Sequence, residues 1–278
     1  MPDFATEVLA FLNHHAPTYL DTPLGLDTRF LVVEVKSLVV HVIPLHLPLD
    51  PQLRPRLSAE LNQQNLRLVH LSEAEWRAKP AIVQSRLRAL LGISARIPAR
   101  LTQVRRIDKP TLDGFLQDNH LQATTNAKVK YGLFLPAQYF RILDFLPKQS
   151  ELLVAVASFS GAKNIVRNTT TYRSYELIRF ANLLNCTVVG GLDKLIKAFT
   201  KEILPDDLMT YADRDWSDGG SYHKLGFELL SATPPQAFWV NPVTFEKHTS
   251  EQRNDKSVPG DWIKVYNTGN WKFLKKMK

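Results

Sequence analysis

The sequence predicts an α/β protein, and three observations predict it. Its 278 residues, 44% of them apolar, suffice for one large or two modest globular domains, each able to bury a core, and two is the better fit. From Tyr172 to Trp239 the periodicity alternates in the order strand, glycine turn, helix, strand, short helix, strand. Between Phe4 and Gly92 an amphipathic helical stretch is followed by apolar runs of strand length and further helical faces.

Taken in order, Phe4, Val8, Phe11 and Leu12 share a face of the first helix, and Thr18 to Arg29, with Pro23 and Gly25, reads as a turn-rich connection. Arg29 to Leu47 supplies two strand runs, FLVVEVK and LVVHVIPLHL, with Lys36-Ser37 between them as a hairpin turn. Leu57 and Leu61 lie on a helix that leads to a strand at Leu66 to Leu71. Ser72-Glu73-Ala74-Glu75 has capping-box spacing, because a hydroxyl and a carboxylate three residues apart satisfy each other's backbone amides. Pro80 starts a helix whose Val83, Leu87, Leu90 and Leu91 point inward, leaving Arg86 and Arg88 toward solvent. Farther on, Ser174 to Phe180 alternates as a strand, and Gly190-Gly191 opens a helix with Leu192, Leu195, Ile196, Phe199 and Ile203 on one face, closed by Pro205. Leu208 to Asp213 is a strand, Ser217 or Asp218 caps a short helix, Gly226 ends it, and Phe227 begins another strand. The expected organisation is a small α/β domain at 1–95, a basic linker at 96–110, a second α/β domain at 111–248 and a basic, aromatic segment at 249–278.

No apolar run approaches the roughly 18 residues that span a bilayer, and MPDFATEVLAFLNHH carries acidic residues and histidines where a signal peptide carries positive charge. A soluble, cytoplasmic protein is expected, with its oligomeric state open. The single cysteine, Cys186, excludes an internal disulfide and a cysteine-based zinc cluster and is expected to be a buried, apolar residue.

The net charge of +8 is unevenly placed. Between Arg77 and Lys109 the cations Arg77, Lys79, Arg86, Arg88, Arg96, Arg100, Arg105, Arg106 and Lys109 face Asp108 alone. The tail adds Lys264, Lys272, Lys275, Lys276 and Lys278 among Trp262, Tyr266, Trp271 and Phe273. Guanidinium groups fork onto phosphate and aromatic rings stack on bases, so DNA is the expected partner, against the blander reading of a solvated helix face and a basic tail. Arg179 and Arg214 are further candidate phosphate contacts, with ion pairs to Glu176 and Asp213 as their structural alternatives.

Gly190-Gly191 at a helix start, with Tyr222-His223-Lys224-Leu225-Gly226-Phe227 after it, resembles the core of the GNAT-type acyltransferases. The resemblance implies a pyrophosphate of acetyl-CoA on the bare amides of Gly190 and Gly191, and Tyr222 as general acid toward the thiolate. Thr187 and Leu192 depart from that family's turn, which carries a long polar residue and a small one at these places.

The run Asn65 to Gly92 resembles the last strand and helix of nucleases related to the Vsr family, including phage homing endonucleases. The blocks Ala95-Arg96, Phe115 to Gln122, Tyr175 to Phe180, Val188 to Gly191, Tyr211 to Ser217 and Leu225 to Phe227 resemble the module that follows in such chains. This implies a Vsr-like domain joined to a GNAT-like domain, and clustered carboxylates holding Mg²⁺. His41 falls where a carboxylate belongs and Leu47-Pro48 near a Trp-His, leaving Glu34 as the candidate metal ligand, with Lys36 beside it and Asp21 or Asp27 as partner. Feeble or absent cleavage is expected. His41 and His46, five apart on a strand, face opposite sides and read as structural, as do His14-His15 at a helix end. His120, two residues from Gln122, and Asp213 at a strand end complete the candidate catalytic set. The expected function is a DNA-binding relative of homing endonucleases, with a GNAT-type acyltransferase as the alternative. The cofactor is Mg²⁺ if nuclease chemistry survives, acetyl-CoA if acyl transfer does, and none if neither does.

Overall fold

The computed structural model describes residues 3–21, 29–47, 50–122, 125–249 and 261–277. In chain order they form α1 (Phe4–His15), β1 (Thr18–Asp21), β2 (Arg29–Val33), β3 (Leu38–Ile43), α2 (Leu53–Gln63), β4 (Arg67–Ser72), α3 (Glu73–Ala78), α4 (Pro80–Leu91), β5 (Ala95–Pro98), β6 (Gln103–Arg106), α5 (Lys109–Asn119) and β7 (Val129–Pro136). They continue as β8 (Glu151–Phe159), β9 (Lys163–Arg167), β10 (Thr170–Asn182), β11 (Cys186–Val189), α6 (Gly191–Ile203), β12 (Asp207–Asp213), α7 (Gly220–Lys224), β13 (Glu228–Ala232), β14 (Ala237–Val240), β15 (Lys247–Thr249), β16 (Ile263–Tyr266) and β17 (Asn270–Lys276). The chain divides into two compact units. One comprises Met1–Pro80, Ala212–Gly220 and Ser231–Trp271, and the other Ala81–Tyr211, Ser221–Leu230 and Lys272–Lys278. Among the described residues no helix is long and apolar enough to cross a membrane.

In the first unit a sheet of order β1-β2-β3-β4 is antiparallel except for the parallel β3–β4 pair. All six residues of β3 are buried, as expected of an apolar strand covered on both faces. Phe30 and Val39 pack with Leu57 and Leu61 of α2 on one face. Leu31, Val33, Val40 and Val42, fully buried, fall on the other face by the alternation of strands. Ser72 caps α3 as its spacing predicts, its Oγ accepting from the Glu75 amide at 3.3 Å. A separate three-stranded antiparallel sheet has the order β15-β14-β16.

Two local expectations change. Thr18 to Asp21 is not a turn but the edge strand β1, paired from Thr18↔Val33 to Asp21↔Phe30; Pro23, Gly25 and Asp27 lie outside the described residues. The β2–β3 connection is longer than a Lys36-Ser37 hairpin. Glu34–Lys36 makes one turn of 3-10 helix, and Ser37 takes the left-handed conformation (φ 48°) that reverses the chain.

The second unit is built on the sheet β13-β17-β12-β10-β8-β7-β6, with β9 paired to β10. α5 lays Leu112, Phe115 and Leu116 against Val156 of β8 and Ala181 of β10. α6 buries Leu195, Ile196 and Phe199, and the Phe199 ring stacks on Phe159 of β8 with centroids 4.0 Å apart. Val156 and Phe159 differ by an odd number of residues, so the two helices cover opposite faces. Residues 96–110 include β6 and most of β5, and β5 pairs in parallel with β11 from Ala95↔Cys186 to Pro98↔Val189.

Candidate functional site

The strand order that carries a site in the second unit is β8-β10-β12. β10 runs antiparallel to β8 and parallel to β12. Its pairing with β12 covers Ser174↔Asp207 to Leu177↔Thr210, and β10 then runs on to Asn182 without that partner. At the same place the register with β8 slips between Leu177 and Arg179, so Ile178 is bulged. A bulge adds twist and re-aims the strand, which is the physical reason two parallel neighbours part.

Tyr222 of α7 stands at this point. The Thr210 side chain stands beside its hydroxyl, and Thr210 Oγ1 itself donates to the Leu177 carbonyl at 3.0 Å. The ring packs on Phe227 at 5.6 Å and Phe273 at 5.4 Å. Burial pushes the phenol above its ordinary range, while the Thr210 side chain and the Arg86 charge pull the other way. Tyr222 is therefore a protonated phenol at neutral pH. The bulge also leaves two buried polar atoms without partners, Ser158 Oγ and Arg179 Nε, on residues directly paired across β8 and β10. Arg179 bends back to donate to the Ile178 carbonyl at 2.9 Å, and burial lowers its guanidinium's pKa.

The glycine turn has structural reasons of its own. Gly190 has φ +78°, which favours glycine, and a Cβ on Gly191 would lie 2.9 Å from Val188 Cγ1. Asp193 sits in the first turn of α6, 2.6 Å from Lys197, so a carboxylate already occupies the favourable end of the helix dipole. Lys194 Nζ donates to the carbonyls of Ala99 and Thr102. Leu192 is half-buried. With Leu192 and Asp193 in its first turn, the glycine turn fits a pyrophosphate poorly.

The remaining candidates are dispersed. In the first unit Glu34 and Lys36 are exposed in the 3-10 turn, Asp21 ends the edge strand, and Asp213 Oδ1 accepts from the Asp215 amide at 2.9 Å. Arg214 lies over the Trp271 ring at 4.2 Å, and burial lowers its pKa. In the second unit His120 caps α5, its Nδ1 accepting from the Gln122 amide at 3.1 Å. Arg105 pairs with Glu151 at 2.5 Å and stacks on Phe134; Arg106 pairs with Glu202 and stacks on Tyr131. Arg88 donates to Asn185 Oδ1, Arg86 and Lys272 are half-buried, and Arg96 and Arg100 are exposed. Much of the charge that suggested DNA is thus spent inside the unit. Cys186 is buried and its thiol is pushed up to about 11 by burial, as an inert apolar residue requires.

Sequence reasoning missed Thr210 as the neighbour of Tyr222, because a pairing that ends at a bulge leaves no local signal. It also missed Arg54, His70 and Asp215 of the first unit. His41 and His70 are directly paired on β3 and β4 and buried, with Nδ1 atoms 2.9 Å apart, and His70 Nε2 lies 2.9 Å from Ser58 Oγ. Burial and Arg54's charge hold both imidazoles neutral, far below the ordinary histidine range.

No family model matches the chain, and no curated protein does. Among solved structures it is similar to the ribosomal-protein-S18-alanine N-acetyltransferase of Escherichia coli (TM-score 0.36, 10% identity, 63% of this chain and 94% of that one). It is also similar to Arabidopsis thaliana NAA60 bound to a bisubstrate analogue (0.39, 10%, 64% and 99%). A third is the histone acetyltransferase HPA2 and related acetyltransferase structure from Corynebacterium glutamicum (0.30, 13%, 83% and 94%). Likenesses this slight carry no argument; what the strand order and bulge show is an α/β unit. The expected kinship with Vsr-related homing endonucleases is corrected. None of the structures named above is a nuclease, nothing supports a Vsr-like assignment for the first unit, and among the described residues no group of three or more His, Cys, Asp or Glu is placed to hold a metal. The Mg²⁺ expectation at Glu34 goes with it, since among the described residues this exposed carboxylate belongs to no group of three or more such ligands, as a nuclease site needs.

Proposed function

We propose that the second unit is an acyltransferase module of GNAT type, using an acyl thioester of the acetyl-CoA class. The observation that supports it is the end of the β10–β12 pairing at Leu177↔Thr210, with a protonated Tyr222 beside Thr210 at that point. Bound acetyl-CoA would supply an activated carbonyl. Tyr222 keeps its proton at Oη past neutral pH and is suited to give it to a departing sulfur. Phe227 and Phe273 exclude water from the phenol's ring face.

Because Leu192 and Asp193 occupy the first turn of α6 and Thr187 is too short to reach a pyrophosphate, affinity should be only high micromolar, about −5 to −6 kcal/mol. Calorimetry with acetyl-CoA, and a thiol-release assay in the presence of an amine that accepts the acyl group, test both points. Tyr222→Phe should leave the dissociation constant within about twofold and lower thiol release by roughly a hundredfold or more. No binding at millimolar acetyl-CoA, or an undiminished rate in Tyr222→Phe, defeats the proposal. A low-micromolar constant lost in Gly190→Val would show instead that the turn holds the pyrophosphate.

A further inference from the structure

A cavity of about 260 Å³ lies within the first unit, walled by Ile43, Leu45, Leu47, Val240 and Val265 and entered at one side by the polar residues Arg54, His70 and Asp215. A void of roughly 150 Å³ accepts a benzene ring, so this one has room for a ring or branched chain plus a head group. The polar side decides what that head group is. The Arg54 side chain is 9% exposed, and among the described residues its one charged contact is Asp215 Oδ1 at 3.7 Å, beyond hydrogen-bond reach. That oxygen is already taken by the amide (3.1 Å) and hydroxyl of Thr268. Among the described residues no protein acceptor lies within hydrogen-bond reach of this guanidinium, and an oxyanion in the cavity would supply one.

The carboxylates around the cavity do not reverse this sign. Asp50 is paired with Arg56 at 2.5 Å, Glu73 accepts from the Leu45 amide at 3.0 Å and lies 3.6 Å from Arg77, and Glu75 accepts from the Trp216 indole at 3.1 Å. Each has a donor, whereas among the described residues the guanidinium has no acceptor within hydrogen-bond reach. His70 adds no charge, because it is neutral beside Arg54. We infer that this cavity is a binding site for a small amphipathic oxyanion, a carboxylate or phosphate monoester on a compact apolar body, with Arg54 gripping the head group.

The test uses the full chain, with 4-methylpentanoate and phenyl phosphate as probes, benzyl alcohol as the neutral control and inorganic phosphate as the bare head group, read by calorimetry and by tryptophan fluorescence. At least one amphipathic anion should bind, at least tenfold tighter than benzyl alcohol or inorganic phosphate, and which one binds identifies the head group. Its affinity should change less than about twofold between 50 and 500 mM NaCl, since a buried pair is little screened. Arg54→Met should abolish binding, and Arg54→Lys should weaken it about tenfold, because an ammonium does not fork. Should Arg54→Met fail to fold, Leu47→Trp, which fills the wall, must still weaken binding, and Asp215→Asn, which keeps an acceptor for Thr268, must tighten it. Failure of both probes at 10 mM, equal binding of the neutral control, a tenfold loss with salt, or an unaffected Arg54→Met protein each overturns the assignment.

Discussion

The two units solve the same packing problem with opposite chemistry. Around α6 the interior is aromatic and aliphatic, with Phe199 stacked on Phe159 at 4.0 Å and Tyr175 edge-on at 5.3 Å. Around α2 the interior is mixed, because the helix that buries Leu57 and Leu61 also turns Arg54 inward, and its Ser58 hydrogen-bonds the buried His70. A purely apolar interior stabilises without specifying much chemistry. Buried polar groups cost desolvation unless each is satisfied, and they persist where structure or ligand meets them. Among the described residues the second unit has buried atoms without partners at the bulge, Ser158 Oγ and Arg179 Nε, and also at Asp113 and Asp207, while those of the first unit include His41 Nε2, Arg214 Nε and Trp262 Nε1.

The largest expected effect breaks the apolar side of the comparison. Phe199→Ala should cost about 3–5 kcal/mol in urea unfolding, the usual range for deleting a buried aromatic ring. A cost below about 1 kcal/mol would mean that the Phe159–Phe199 stack is not the keystone of the second unit.

That face was legible in advance, since Leu195, Ile196 and Phe199 recur at helical spacing. So was the Ser72 cap, which needs only two residues three apart. The inward position of Arg54 was equally available, three residues before Leu57 and seven before Leu61, but a polar residue on an apolar face is easily read as the edge of the stripe. Other features were not written locally. The β5–β11 pairing joins residues far apart in the chain, and the end of the β10–β12 ladder depends on a bulge at Ile178 that no residue type announces. Glu34 looked like a strand residue because its neighbours are apolar, yet Ser37 in the left-handed conformation shortens β2 and lifts Glu34 into a turn.

The second effect probes the mixed interior by pH. His41 and His70 have folded pKa values depressed by burial, so the unfolded chain binds more protons than the native one at every pH between their folded values and about 6.5. Stability is therefore fully present above about pH 6.5 and falls as pH drops below it, by about 1.4 kcal/mol per histidine at pH 5.5. Urea midpoints measured by tryptophan fluorescence from pH 8 to 5 should show this slope, and His41→Leu should roughly halve it. A flat profile would mean that water reaches the imidazoles in the native state.

The smallest effect sharpens the comparison at a helix start, where neither core is involved. Ser72 accepts from the Glu75 amide at 3.3 Å, a long bond, so Ser72→Ala should cost about 0.5–1 kcal/mol, the low end for an N-cap. The reason it costs anything is that α3 has only six residues and its first turn has little else to satisfy its amides. A hydroxyl does not titrate, so the loss should be the same at pH 5.5 and 8, unlike the histidine effect. Asp108, which caps α5 in the second unit through the Thr111 amide at 2.9 Å, is a carboxylate with its pKa lowered by the Thr111 side chain and then by that amide. Its contribution is present above the ordinary carboxylate range and is lost as pH falls through the lowered value. Urea midpoints of Ser72→Ala and Asp108→Ala at pH 3.5, 5.5 and 8 separate the two. A pH-dependent Ser72→Ala penalty would show that Glu75, not the hydroxyl, carries the cap, since only the carboxylate of that box can change its charge.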